Sequence, residues 1–183
     1  NKIEEYINEL HEEGIECGIG GSLNDLTIKE LLALRTNDKY IVEFQTQIEF
    51  TLEKTENKLK FVGLKDLQIY DIENDFYYII DIKSTAKSSK FENAIFDYGY
   101  DIQGVGYCYE PKVRAHMLSK QASYHLMVVS KTGSCQTELF NITDIVDSSI
   151  DKFARITNII DRHISNPKLF LQQRQLEFKP WHK

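Results

Sequence analysis

The chain contains little cysteine and proline and has no long apolar run. Three cysteines and three prolines occur among its 183 residues. The cysteines are odd in number and lack the spacing of a metal site, which argues against a disulfide framework and indicates a reducing compartment. No stretch approaches the roughly 18 apolar residues that a membrane-spanning helix needs, and no signal-peptide pattern is present. We therefore expect a soluble, cytoplasmic protein with no membrane partner.

An excess of positive charge is also missing. The 22 Lys and Arg residues against 28 Asp and Glu give a net charge of −6 at pH 7, which argues against a passive nucleic-acid coat because such proteins are normally basic. An enzyme is not excluded, since a bound cation supplies local positive charge. With 42% hydrophobic residues, the chain can form one domain with a real core. We expect a single domain over residues 1–183, divided into N-terminal helices (1–38), a core (39–165) and a C-terminal tail (166–183).

The apolar periodicity predicts strands and helices in the order of an α/β fold. Three strands are expected over residues 40–53, 59–66 and 76–83, separated by polar turns at 55–57 and 73–75. They are followed by an aromatic-rich helix over 91–109, a strand over 123–130, a hairpin turn at 131–134, a return strand over 135–142 and a long helix over 144–163. Near the N-terminus, a Gly-rich loop at 17–22 separates an amphipathic first helix from a second helix over 27–35.

Two aspartates and a lysine stand at the ends of two neighbouring predicted strands. Asp66 ends one strand, and Asp81 and Lys83 end the next. Side chains two residues apart in a strand point to the same face, and the ends of two hairpin strands can approach each other. Two adjacent carboxylates resist joint ionisation unless a cation lies between them, and Mg²⁺ prefers carboxylate, water and phosphate oxygens. The pattern indicates phosphodiester hydrolysis, with Lys83 orienting or deprotonating the attacking water.

The predicted helix over residues 91–109 carries a second group of candidates. Gln103 and Tyr107 are four residues apart and therefore lie on one helical face. A buried Gln beside a Tyr hydroxyl can hold a catalytic lysine or a DNA phosphate, and ordinary helix packing is the alternative. Gly99, Gly104 and Gly106 are unusual in a helix, where each Gly costs about 1 kcal/mol relative to Ala. They indicate close packing or close approach of a ligand.

Three motifs together resemble those of the PD-(D/E)xK nucleases of the RecB-like branch. They are G-x-x-D at residues 63–66, D-x-K at 81–83 and Q-x-x-x-Y at 103–107. More narrowly, IIDIKSTAKSSKFENAIFDYGYDIQGVGYCY at 79–109 looks like the corresponding segment of RecE-type (exonuclease VIII) exonucleases of phages and prophages. The strand pair and helix that follow continue the resemblance, which covers about residues 42–163.

The resemblance implies a fold, an activity and partners. The fold is a restriction-endonuclease-like α/β core, a central mixed sheet flanked by helices. The activity is Mg²⁺-dependent exonuclease action on double-stranded DNA ends, with Mn²⁺ as a substitute, in phage or prophage recombination or in DNA repair. Asp66 and Asp81 carry over as metal ligands, Lys83 as the catalytic lysine, and Gln103 and Tyr107 as the helix motif. Family members of this type form closed rings and work with a single-strand annealing protein, so a homo-oligomer is expected.

The family's further acidic ligand has no obvious counterpart in this sequence. Gln47 stands near the expected spacing, with Glu43 and Glu49 as the neighbouring carboxylates. Strict alternation over residues 40–53 would place Phe44 and Ile48 on one face and all three polar residues on the other. Glu49, one step from Gln47 on that face, is therefore the predicted third metal ligand.

Several questions stay open at this point. His11 is the one upstream candidate for the family's histidine ligand, and simple exposure on the first helix is the favoured interpretation of it. A ligand preceding Asn1 is the other possibility, since the chain does not begin with Met. A single-strand or structure-specific nuclease of the same branch is one alternative function. A non-catalytic DNA-binding or scaffold protein that keeps the fold is another, and Gln47 favours it. The sequence does not decide the polarity of digestion, exonuclease against endonuclease action, or the oligomeric state.

Overall fold

The computed structural model describes residues 18–19, 26–27, 34–86, 91–131 and 137–167. Five strands form the central sheet: β3 (Tyr40–Thr51), β4 (Lys60–Asp71), β5 (Phe76–Thr85), β6 (Ala122–Ser130) and β7 (Thr137–Asn141). They lie side by side in the order β3-β4-β5-β6-β7 and are flanked by helices. Every neighbouring pair is antiparallel except β5 and β6, which are parallel. This mixed α/β arrangement is consistent with the predicted restriction-endonuclease-like core.

Three short helices connect the parallel strands β5 and β6, as a parallel connection requires a crossover. They are α1 (Phe91–Asp97), α2 (Tyr100–Cys108) and α3 (Arg114–Leu118). The single helix predicted over residues 91–109 is thus interrupted, because Gly99 adopts a left-handed conformation with φ 69°. The helix predicted over residues 144–163 is likewise two, α4 (Thr143–Ser148) and α5 (Ile150–Ser165).

The core lies on both faces of the sheet. On the face that carries the helices, here called the helix face, residues of β5 and β6 such as Ile79 and Tyr124 pack with Val105 of α2 and Val146 of α4. The opposite face has a smaller cluster built on Leu67, Ile69, Ile80 and Met127. Strand β6 lies inside both clusters and is buried at every position, so the sheet is covered on both sides where the parallel strands meet.

The predicted strict alternation of the first long strand is wrong. Gln45 has φ 49°, and the β3–β4 pairing passes over it, from Phe44 opposite Leu67 to Thr46 opposite Lys65. Phe44 packs in the cluster of the opposite face, whereas Ile48 packs on the helix face. Residues four apart in a regular strand would share a face. The interruption at Gln45 therefore changes which side chains face the helices.

The structure describes little of the predicted N-terminal helices. Gly18–Ile19 (β1) pairs antiparallel with Leu26–Thr27 (β2), so part of the Gly-rich loop and the predicted start of the second helix are extended instead. A 3₁₀ turn follows at Leu34–Thr36. The first helix with His11, the hairpin turn near residues 132–136 and most of the C-terminal tail lie outside the described residues. Among the described helices, none has the length and apolar character that crossing a bilayer requires.

Candidate active site

Asp66 and Asp81 lie opposite each other in the middle of β4 and β5. The β4–β5 ladder runs from Asp71 opposite Phe76 to Leu67 opposite Ile80, and the next position in this register is Asp66 opposite Asp81. Backbone pairing ends there, and Asp66 Oδ2 instead accepts a hydrogen bond of 2.8 Å from the Ile82 amide. The sequence placed the two aspartates at strand ends, which is wrong. The expected close approach of Asp66 and Asp81 is nevertheless confirmed, because it follows from the register of the β4–β5 hairpin.

Asp81 and Lys83 form an ion pair at the edge of the core. Lys83 Nζ lies 2.5 Å from Asp81 Oδ2, and the Asp81 side chain is buried, whereas that of Lys83 is 17% exposed. The pKa of Asp81 is raised to about 6, chiefly by burial and to a smaller extent by Asp66, while Lys83 opposes the rise. A carboxylate that is costly to ionise gains most from a nearby cation, so the charge distribution favours cation binding here.

A chain of hydrogen bonds fixes Lys83 from the helix above it. Lys83 Nζ donates to Gln103 Oε1 at 3.0 Å, and Gln103 Nε2 donates to the Tyr107 hydroxyl at 2.8 Å. Tyr107 in turn donates to the Leu64 carbonyl at 2.8 Å. The prediction that Gln103 faces Lys83 is confirmed, and Tyr107 packs beneath Gln103. The Tyr100 ring completes this side of the site, with Lys83 Nζ 4.6 Å from its centroid.

Close packing of α2 on the sheet makes this chain possible. A Cβ at Gly104 would lie 2.8 Å from Tyr124 Cε1, and one at Gly106 would lie 2.1 Å from Phe61 Cζ. Real Cβ atoms do not approach other atoms so closely, so larger residues would push α2 away from β5. Of the two roles predicted for these glycines, close packing is therefore the one confirmed at Gly104 and Gly106.

Tyr124 is a residue beside Asp81 that the sequence analysis missed. Its side chain is fully buried, and burial raises its pKa well above the usual value, with the Asp81 carboxylate adding to the effect. It stands opposite Ile79 in the parallel ladder, two residues before Asp81. A tyrosine in the largely apolar strand SYHLMVV was the only sequence signal, and that signal is equally typical of core packing.

The predicted third metal ligand does not join the aspartate pair. Glu49 stands opposite Val62, four residues from Asp66, or roughly 13 Å at about 3.3 Å per strand residue. It forms an ion pair with Lys60 instead. Glu43 accepts hydrogen bonds from Gln68 Nε2 at 2.7 Å and from Lys112 Nζ at 3.0 Å. The carboxylates of Glu49 and Glu43 are thus both bound to residues other than the aspartate pair.

The residues present fit a magnesium ion held by two carboxylates. Within the described ranges, no group of three or more His, Cys, Asp or Glu side chains could hold a metal. Mg²⁺ needs fewer protein ligands than that, because it is commonly bound through one or two carboxylates together with water and substrate phosphate. Asp81 Oδ2 is buried and has no hydrogen bond of good geometry from the described residues. Asp66 and Asp81 are therefore the residues that would hold the ion.

A second buried lysine lies next to the site and also escaped the sequence analysis. Lys65 has a fully buried side chain that pairs with Glu110 and donates to Gln68 Oε1 at 2.7 Å. Burial lowers the pKa of Lys65, and the hydrogen bond to Glu110 opposes this effect. Gln68 continues the network to Glu43. These contacts tie the segment preceding Asp66 to the end of α2.

The structure also contains a cavity of about 570 Å³ away from the aspartates. It lies between the end of β3 and helix α5, and no residue of the aspartate–lysine cluster lines it. Its walls are mainly apolar and include Phe50, Val105, Tyr109, Arg114, Ile150 and Phe153.

Comparisons with known proteins add little to this geometry. No family model matches the chain, and no curated protein matches it. One similar solved structure is that of SSO0001, with 12% sequence identity and a TM-score of 0.42. The similarity covers 66% of this chain and 54% of that one. At this TM-score it carries no argument about fold or function.

Proposed function

We propose that this chain is a metal-dependent deoxyribonuclease that hydrolyses phosphodiester bonds at DNA ends. The observation that carries the proposal is the contact of Lys83 with both Asp81 and Gln103, directly beside Asp66. Three motifs distant in the sequence thus meet at one partly exposed position. The resemblance to RecE-type exonucleases supports the narrower part of the proposal, which is action on double-stranded ends in recombination or repair.

Each residue has a separate role in the proposed reaction. Asp66 and Asp81 would hold Mg²⁺, or Mn²⁺ as a substitute, which supplies positive charge for the phosphate oxygens and the leaving oxygen. Lys83 orients or deprotonates the water that attacks phosphorus. Gln103 holds the Lys83 ammonium, and Tyr107 holds Gln103 against the Leu64 carbonyl. Such a chain fixes the geometry of the reacting groups before the substrate binds.

A non-catalytic DNA-binding protein on the same fold is the second candidate. The observation that favours it is that no third carboxylate joins Asp66 and Asp81 within the described residues. The intact Lys83–Gln103–Tyr107 chain favours the enzyme, because a passive scaffold needs no oriented lysine. A homo-oligomeric ring and a single-strand annealing protein as partner rest on the resemblance alone.

The proposal is tested by digestion of linear and circular duplex DNA with purified protein. Linear DNA should be degraded with Mg²⁺ or Mn²⁺, and degradation should stop with EDTA or when Ca²⁺, a larger ion, replaces them. Asp81→Ala should abolish cleavage, whereas Lys60→Ala, which removes an exposed lysine of β4, should retain it. Equal digestion of circular DNA would favour an endonuclease. DNA binding without any cleavage would favour the non-catalytic candidate.

A further inference from the structure

Four aromatic rings form a column that leads from the core to the surface beside Lys83. Phe140 of β7 and Phe91 of α1 have ring centroids 5.6 Å apart. Phe91 stacks on Tyr100 at 5.8 Å with 19° between the planes, and Tyr100 lies 5.8 Å from Tyr98. These separations are typical of aromatic pairs that attract each other. We call these four residues the aromatic column.

The outer end of the aromatic column is open to solvent. Tyr98 is 74% exposed, whereas Phe91, the second ring from the inner end, is 3% exposed. The left-handed conformation of Gly99 separates α1 from α2 and brings Tyr98 and Tyr100 side by side. A Cβ at Gly99 would meet no atom within 4 Å, so the backbone conformation, and not lack of space, favours glycine here.

The aromatic column is continuous with the proposed catalytic site. Lys83 Nζ lies 4.6 Å from the centroid of Tyr100, the ring that adjoins Tyr98. A phosphate held at Lys83 would therefore have its neighbouring nucleotide within reach of the Tyr98 ring. The exposed carboxylate of Asp97 adjoins Tyr98 in the chain. Its negative charge disfavours a phosphate at the outer end of the column, so the uncharged base is the part of a nucleotide that fits beside Tyr98.

We infer that Tyr98 is a base-stacking subsite for an unpaired nucleotide next to the scissile phosphate. The inference rests on the proposed nuclease function. It adds that the terminal nucleotide of the strand must be unpaired for its base to stack on Tyr98. A nucleobase stacked on Tyr98 extends the aromatic column by one ring. Aromatic platforms beside a phosphate path are a general means of holding single strands without sequence preference, because every base has a π face. Ends with unpaired terminal nucleotides are therefore the preferred substrates.

Binding of oligonucleotides that carry 2-aminopurine tests the inference without relying on catalysis. The measurement uses the full-length Asp81→Asn protein in EDTA, alone and combined with Tyr98→Ala or Tyr98→Trp. Fluorescence of a terminal 2-aminopurine should be quenched by the protein that retains Tyr98 and by the Tyr98→Trp variant. Tyr98→Ala should weaken binding about five- to a hundredfold, the range for loss of one stacked base. An oligonucleotide with an abasic terminal position should bind all three proteins equally.

The matched control is Leu118→Ala, which removes an apolar side chain that is 64% exposed. Leu118 lies on α3, which leads into the start of β6, whereas Lys83 pairs with Val128 near the end of that strand. The Leu118→Ala substitution should leave the quenching unchanged. Equal DNA affinity with and without the Tyr98→Ala substitution would overturn the inference. The same holds if Tyr98→Ala weakens binding of the abasic oligonucleotide as much as binding of the 2-aminopurine oligonucleotide. A change in self-association on a sizing column with unchanged quenching would also overturn it, since Tyr98 would then contact a second copy. Quenching that depends on Tyr98, combined with a wild-type protein that cleaves no DNA in the presence of Mg²⁺ or Mn²⁺, would retain the subsite and reject the nuclease.

Discussion

Lys83 and Lys65 are two lysines of neighbouring strands, each paired with a carboxylate near α2, and they differ in what surrounds them. The Lys65 side chain is 0% exposed, and its ammonium contacts both Glu110 and Gln68. The Lys83 side chain is 17% exposed and adjoins Asp81, beside which lies a second carboxylate, Asp66. The Lys65 group is closed and satisfied, whereas the Lys83 group is open and has an excess of negative charge.

The difference shows that a buried ion pair does not by itself indicate a functional site. A closed pair with both partners present holds two elements together, and its net contribution to stability is small compared with the cost of breaking it. In an open pair beside a second carboxylate, the buried carboxyl group has a raised pKa, as Asp81 does, and the group gains from a cation or a substrate. Substitutions in the Lys83 group should therefore change activity, and those in the Lys65 group should change stability.

The largest effect is expected from Lys83→Met. Loss of the group that orients or deprotonates the attacking water should lower the cleavage rate about 10²- to 10⁴-fold. Stability should fall less than for Lys65→Met, because Asp81, whose pKa is already raised, can bind a proton in place of the lost ammonium, and Met replaces the apolar stem of Lys83. Initial rates on linear duplex DNA, together with urea unfolding of the same protein, measure both quantities. A Lys83→Met protein with near-normal cleavage would place the catalytic group elsewhere.

Lys65→Met should have the opposite signature. It leaves Glu110 with an uncompensated buried charge, which should lower the free energy of unfolding by about 3–5 kcal/mol. The double variant Lys65→Met/Glu110→Leu removes both charges and should recover most of that loss. Urea unfolding of the single and double variants checks the prediction. If the single variant is as stable as the wild type, the Lys65 group is not the closed structural pair described above.

The raised pKa of Asp81 predicts a pH-dependent stability cost. Its folded-state pKa of about 6 exceeds the ordinary value of 3.8, so the folded protein binds more protons than the unfolded protein between these values. Stability should therefore fall as pH rises through this window, by about 3 kcal/mol in all. Asp81→Asn should remove the decline. Unfolding measured without metal from pH 4 to pH 8 tests this, and parallel curves for the two proteins would contradict it.

Gln103→Ala should affect turnover more than DNA binding. Without its amide, Lys83 loses its link to Tyr107, and misplacement of a reacting group by about 1 Å can cost up to about 100-fold in rate. DNA affinity in Ca²⁺ should stay within about twofold of the wild type, in line with the small energies of substitutions outside a binding contact. Gln47→Ala, on the exposed part of β3, is the control. Normal cleavage by Gln103→Ala would reject the positioning role.

The smallest effect is expected from Glu49→Gln. The residue pairs with Lys60 at the surface, and such pairs contribute about 0–1 kcal/mol. Cleavage should therefore stay within about twofold of the wild type, and Glu43→Gln provides the comparison. A loss of activity for Glu49→Gln much larger than for Glu43→Gln would return Glu49 to the metal site, as the sequence alone predicted.

The strands were predictable from local pattern, whereas their arrangement in one mixed sheet was expected only from the family resemblance. Alternating and apolar runs bounded by polar turns located β3 to β7, and the motif spacing identified Asp81, Lys83 and Gln103. The interruptions were not predictable in the same way. The break at Gln45 falls at a residue with no strong conformational preference, and those at Gly99 and Ser149 fall at residue types that also occur inside helices. Tertiary packing decides each of them.

Burial explains the remaining misses in the site. Lys65 and Tyr124 are placed by long-range contacts with Glu110 and Asp81, which no local pattern encodes. The choice of Glu49 failed because alternation gives the face on which a strand residue lies and not its distance from a residue of another strand: Glu49 stands opposite Val62, four residues from Asp66.

A crystal soaked in Mn²⁺ and measured for anomalous scattering tests the central claim most directly. The account predicts a peak bridging the carboxylates of Asp66 and Asp81, close to Lys83, and none in an Asp81→Asn crystal treated in the same way. A strong peak elsewhere in the chain, or none at this position in wild-type crystals, would contradict the assignment of this cluster as the metal-dependent nuclease site.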